Sequence, residues 1–225
     1  MKIKIIMSFI ALLLASCSCA IERDNKRTGK ETTMAVNVKD FTELEIAGSF
    51  NVYFTQGNTT SVKVKGYEKY LKNVKITSDG KTLSIGIHKS WKNLSYFYDD
   101  IEVYVTSPNI RGISIAGSGE FKSSTKIDTD RMYISVAGSG EVDIQDIICD
   151  NLKGEIAGSG EIDIKRITTP NAELSIAGSG DIDIENAVID NVACEIAGSG
   201  NIELKGNIKH HTQEIAGSGS VNINQ

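Results

Sequence analysis

Carboxylates are the side chains here whose spacing could do chemistry. Glu120, Glu141, Glu161 and Asp181 recur about every twenty residues, and Asp143, Asp163, Asp183 and Glu203 recur with the same interval beside them. Two carboxyl groups facing one scissile bond, with separated pKa values, would be the equipment of a glycosidase. Acids stacked in a column are by default a solvated face, one that resists edge-to-edge association by repulsion. Such a column could also gather Ca²⁺ weakly, but the nonapeptide calcium pattern is not matched, because Ile162 or Ile182 stands where it needs an aspartate. His88 is isolated, and His210 and His211 are neighbours that point to opposite faces of a strand. No Ser, His and acid grouping suggests nucleophilic catalysis. The expectation is no catalytic residue, no metal ligand set and no cofactor.

The cysteines point elsewhere. Lys2 and Lys4 precede an apolar run, Ile5 to Leu14, that is too short to span a bilayer and has the form of a signal peptide over residues 1–16. It ends in Leu14-Ala15-Ser16-Cys17, which resembles the bacterial lipobox and makes Cys17 the expected lipidated residue and membrane anchor. Residues 17–35 are polar and lack periodicity, as a tether would. Beyond the signal, 22 basic residues stand against 29 acidic ones, a net charge of about −7 that disfavours nucleic acid as a partner.

What positions the acids is a repeat. Ile-Ala-Gly-Ser-Gly or Val-Ala-Gly-Ser-Gly occurs six times, its alanines at 116, 137, 157, 177, 197 and 216, and Ile46-Ala47-Gly48-Ser49-Phe50 is a degenerate first copy. Apolar residues alternate with polar ones on both sides of each word, the period of a strand with one buried face. Read down the chain, Val136, Ile156, Ile176, Ile196 and Ile215 form one inward column. Val142, Ile162, Ile182, Ile202 and Val221 form a second, and Ile144, Ile164, Ile184, Leu204 and Ile223 a third. Twenty residues are too few for two helices or a propeller blade, which leaves coils of two or three short strands stacked about 4.8 Å apart in parallel register. The predicted fold is an all-β, single-stranded parallel β-helix over residues 36–225, with irregular N-terminal coils. One coil buries too little to offset its own ordering, so neighbours must cover its flanks.

The glycines then mark corners. The ladder is Gly117-Ser118-Gly119, Gly138-Ser139-Gly140, Gly158-Ser159-Gly160, Gly178-Ser179-Gly180, Gly198-Ser199-Gly200 and Gly217-Ser218-Gly219, with serines outward and glycines where a Cβ would clash. Cys149 and Cys194 lie more than two coils apart, at least about 9.6 Å along the axis, beyond the roughly 7 Å a disulfide allows, and should be free thiols. Val36 to Pro108 alternates less regularly, with turn signals at Gln56-Gly57-Asn58 and Asp79-Gly80, and reads as longer coils capping the solenoid. Trp91, Tyr96, Phe97 and Tyr98 form an aromatic cluster within it that would be either a recognition loop or packing over the open end. The last coil, ending Val221-Asn222-Ile223-Asn224-Gln225, reads as lacking a polar cap, so that it could template self-association.

The lipobox, the segment Thr106-Ser107-Pro108-Asn109-Ile110 and the Gly-Ser-Gly ladder together resemble the DUF2807 family of auto-transporter adhesin head GIN domain proteins, over about Val38 to Val221. The resemblance implies a β-helix shaped like the pectin lyases, carried by Bacteroidetes lipoproteins, with adhesion as its suggested role. The expected partners are the outer membrane through the anchor, a glycan or a host or envelope protein, and a second copy through the terminal coil. A structural, self-assembling component is the alternative, and a carbohydrate-active enzyme ranks below both.

Overall fold

The computed structural model describes residues 29–88 and 101–224. Cys17 and the aromatic residues Trp91, Tyr96, Phe97 and Tyr98 lie outside the described residues. The elements are β1 (Glu31–Val36), β2 (Glu43–Gly48), β3 (Asn51–Gln56), β4 (Ser61–Tyr67), α1 (Glu68–Leu71), β5 (Val74–Ser78), β6 (Thr82–Ile87) and β7 (Glu102–Ser107). There follow β8 (Gly112–Gly117), β9 (Glu120–Asp128), β10 (Arg131–Gly138), β11 (Glu141–Ile148), β12 (Asn151–Gly158) and β13 (Glu161–Ile164). The chain closes with β14 (Ile167–Gly178), β15 (Asp181–Gly198), β16 (Asn201–Gly217) and β17 (Ser220–Asn224). They wind into a β-solenoid of about 6 turns.

One coil shows how the sequence makes the shape. In β12, Leu152, Gly154 and Ile156 are buried while Ala157 is exposed; the chain bends through Gly158-Ser159-Gly160, and β13 buries Ile162 and Ile164. Alternation of this kind carries one side of the coil strands into a core dominated by β-branched residues, which suit a pleated surface, while β1, β5 and β17 bury no residue fully. Successive coils pair in parallel with no offset: Val136 faces Ile156, Ile156 faces Ile176, Ile176 faces Ile196, and Ile196 faces Ile215. The column from Val142 to Val221 and that from Ile144 to Ile223 stack in the same way.

A third corner is closed by hydroxyls. The Thr129 Oγ1 donates to the Asn109 Oδ1 at 2.9 Å, with the Arg131 carbonyl at 3.4 Å, and the Thr169 Oγ1 donates to the Asn171 carbonyl at 3.0 Å. Cys149 occupies the equivalent place in the coil between them, its amide bonded to the Thr168 carbonyl at 3.2 Å. Cys149 and Cys194 are both buried and free.

Two features depart from the reading of the sequence. The N-terminal region is not simply a set of longer coils, because β4 runs antiparallel to β1 and to β7, and β5 and β6 form an antiparallel pair. The β5–β6 pair follows from the Asp79-Gly80 turn between them: the Asp79 carboxylate accepts the amides of Lys81 and Thr82 at 2.8 Å each, reversing the chain too tightly for a parallel crossover. Because β1 begins at Glu31, ordered pairing also reaches into the segment expected to be tether. The last coil, in turn, is partly capped. His211 and Gln213 take the inward positions that Val192 and Cys194 hold one coil earlier, and both are exposed. Among the described residues no helix is long and apolar enough to cross a membrane.

Candidate binding face

Between the inward columns of the second strand of each coil lie two outward ones. The first runs Glu102, Asn51, Glu120, Glu141, Glu161, Asp181, Asn201, Ser220. The second runs Tyr104, Tyr53, Lys122, Asp143, Asp163, Asp183, Glu203, Asn222. Parallel register is what gathers these residues, so the carboxylates expected from the repeat do share one face, on strands β9, β11, β13, β15 and β16.

The acids border a groove of about 390 Å³ lined by Asp143, Gln145, Asp163, Lys165, Asp183, Glu185, Glu203 and Lys205. Its lysines are engaged: Lys165 pairs with Glu185 at 2.5 Å and Lys205 with Glu203 at 2.9 Å. Among the described residues, no cation pairs with Asp143, Asp163 or Asp183 at ion-pair distance. Burial, followed by the charges of Glu161, Asp183, Asp143 and Glu141, pushes the Asp163 carboxyl up to about 6. Burial also raises Glu141, with Glu120 adding to it, and raises Asp183, with Glu203 adding.

Toward the N-terminal end the same columns change chemistry. The rings of Tyr53 and Tyr104 stack with centroids 5.3 Å apart. Glu102 accepts hydrogen bonds from Lys65 at 3.0 Å and from Tyr104 at 2.8 Å, which hold its carboxyl below the usual range, while the Tyr104 hydroxyl is raised by that same bond. Lys122 pairs with Glu120, separating the tyrosines from the acids. Nothing in the repeat announces the tyrosine pair, since β3 and β7 are joined across the irregular region. Alternation placed both side chains outward, but only the register shows them adjacent.

At the Gly-Ser-Gly corners the backbone carries the contacts between coils. The serines at 118, 139, 159, 179, 199 and 218 are all exposed. It is their amides that join coils, Ser159 to the Gly138 carbonyl and Ser179 to the Gly158 carbonyl at 2.8 Å each. The glycines are there for space and bend: φ at Gly158 is +135°, and a Cβ there would strike the Gly138 carbonyl oxygen.

Chemically, the face presents the same acidic pair three times over: Glu141 with Asp143, Glu161 with Asp163, and Asp181 with Asp183. Oxygens of Glu161, Asp163 and Asp183 lie within 4.8 Å of one another. Three such donors fall short of the six to eight oxygens that Ca²⁺ takes, so water would have to complete any shell. A family model described as "Putative auto-transporter adhesin, head GIN domain" matches residues 40–224. The chain belongs to this family. Its fold is also that of solved relatives. A "putative adhesin" from Bacteroides fragilis is 24% identical with a TM-score of 0.73, over 87% of this chain and 98% of that one. A "Putative lipid binding protein" from Parabacteroides distasonis is 25% identical with a TM-score of 0.69, over 88% and 98%. A further "putative adhesin" from Parabacteroides merdae is 21% identical with a TM-score of 0.56, over 88% and 97%. Among curated proteins, none matches the chain. Family and relatives alike bear the names of adhesins or binding proteins.

Proposed function

We propose that this family member is a non-catalytic lipoprotein of the outer membrane, anchored through Cys17, whose solenoid serves as an adhesin or binding module for a glycan or for a host or envelope protein. The observation that carries the reading is the threefold repetition of one acidic pair along a groove. A glycosidase works with two carboxyls that flank one scissile bond and take different roles. Here each pair has an equivalent one coil away, an array suited to a partner with its own repeat. The names of the family and of its solved relatives support adhesion, and the lipid-binding description of one relative adds lipid as a ligand class to be tried.

The test is to probe glycan arrays, lipid vesicles and whole cells with the chain from residue 18 onward. Binding should fall when Asp143, Asp163 and Asp183 are changed together to Asn, or when Trp91 or Tyr104 is changed to Ala. Absence of binding to every probe would count against the module. Anchoring is tested by Cys17→Ser, which should abolish palmitate incorporation and move the protein out of the membrane fraction; protease treatment of intact cells then reads which side it faces.

A further inference from the structure

Three rows of the acidic face lie on consecutive coils, and among the described residues Asp143, Asp163 and Asp183 make no ion pair. Asp163 on β13 faces Asp143 and Glu141 of β11 on one side and Asp183 and Asp181 of β15 on the other, with Glu161 beside it on its own strand. Glu203 continues the column beyond Asp183, and Gln145, Lys165, Glu185 and Lys205 also line the groove, both lysines being paired, with Glu185 and Glu203. Lys122, the register neighbour of Asp143, and Lys205, near Asp183, offset part of the charge at the two ends of the column, but only acids act on Asp163 at its centre, so at neutral pH the stacking of these coils works against like charges on neighbouring strands.

The next coil shows what a donor does in the same geometry. Where the first outward column changes from Asp181 to Asn201, the Asn201 amide Nδ2 donates to the Asp181 Oδ1 at 2.8 Å, a bond from one coil to the next. The asparagines of the neighbouring face do likewise, Asn191 donating to Asn171 at 3.3 Å and Asn171 to Asn151 at 3.5 Å. A donor on this lattice therefore reaches the acceptor one coil away. A protonated carboxyl is such a donor.

We propose that the Asp143–Asp163–Asp183 column is a proton-operated clamp: one captured proton turns a repelling pair into a carboxyl–carboxylate hydrogen bond that locks adjacent coils. The O–H of Asp163 then donates to a carboxylate oxygen of Asp143 or Asp183, and no other bond changes. The raised position of Asp163, about 6, agrees with this. The sign follows from linkage. A carboxyl raised in the folded state costs stability at pH values above its folded pKa. That cost is relieved as pH falls through about 6 and is gone below the ordinary carboxylate range. Glu102 and Glu155, held low by hydrogen bonds to Lys65 and Tyr133 respectively, act oppositely, but only at more acidic pH.

Thermal unfolding of the chain from residue 18 onward, in chelator, at about pH 5 and about pH 8 tests the clamp. The melting temperature should be higher near pH 5, by a few degrees. Asp163→Asn, whose amide supplies the donor permanently, should raise the melting temperature near pH 8 and flatten the difference; Asp183→Asn, which can donate to Asp163, should do the same should the first variant not fold. Equal or lower stability of the parent near pH 5, or a pH difference unchanged in both variants, would overturn the clamp. Because the readout is unfolding, it is independent of whether any partner binds the face.

Discussion

Gly160 lies directly over Gly140: a Cβ built on Gly160 would stand 2.7 Å from the Gly140 carbonyl oxygen and 2.5 Å from the Val136 Cγ1. Backbone and a branched core side chain cannot both withdraw, so the corner excludes every residue but glycine by contact between coils. Gly160→Ala should therefore cost about 1–3 kcal/mol, as overpacking does, read as a lower urea midpoint at unchanged slope. Ser159→Ala at the exposed corner between the glycines should stay within about 0.5 kcal/mol. A large loss at Ser159 would show that the serine side chain, rather than its amide, matters to the fold.

The inward columns make a second prediction. Ile176 is 2% exposed and sits between Ile156 and Ile196. Ile176→Ala opens a cavity whose walls are the neighbouring coils, and should cost about 2–5 kcal/mol in equilibrium unfolding. Ile215→Ala, in the same column but 40% exposed, should cost much less. Equal losses at the two positions would mean that the column is not the unit of stability.

These columns were legible in the sequence because near-constant spacing and strand alternation together leave one register available. The corners were legible for a related reason, that glycine recurs where bends must. The N-terminal pairings were not, since an antiparallel reversal at Asp79-Gly80 carries no period and resembles a longer coil until the register is seen. The candidate face divided along the same line. Its acids could be placed from the repeat, whereas the Tyr53–Tyr104 stack and the capping role of His211 depend on which strands become neighbours.

Gln56 holds irregular and regular coils together. Its Nε2 donates to the Pro108 and Asp128 carbonyls at 2.9 Å each, and its Oε1 accepts the Asp128 amide at 2.7 Å. Gln56→Ala leaves those backbone groups to water, for an expected loss of about 1–3 kcal/mol. Gln56→Glu keeps the acceptor but sets a carboxylate oxygen against both carbonyls, and should be at least as destabilising as the alanine variant in thermal unfolding.

Cys149 stands where its neighbouring coils place Thr129 and Thr169. A threonine there could donate to the Asn151 carbonyl as Thr169 does to Asn171. Cys149→Thr should therefore be neutral or stabilising within about 1 kcal/mol, and Thr169→Val should lose about that amount. Burial raises the Cys149 thiol, so alkylation of the folded protein at that residue should be slow until it unfolds.

The final prediction concerns the end of the solenoid. His211 and Gln213 continue two inward columns with polar side chains, while Ile215 continues the third as an exposed isoleucine. The polar pair removes part of the apolar surface that a second chain would need in order to stack on this coil, as edge-protecting residues do in other sheets. Restoring the column chemistry with His211→Val and Gln213→Leu should favour association, seen in light scattering as a rise in mass with concentration that the parent shows less strongly. If parent and double variant scatter alike, these two side chains do not control association, and the apolar residues left on that end are Ile215, Val221 and Ile223, of which Ile215→Lys changes the most exposed in its column.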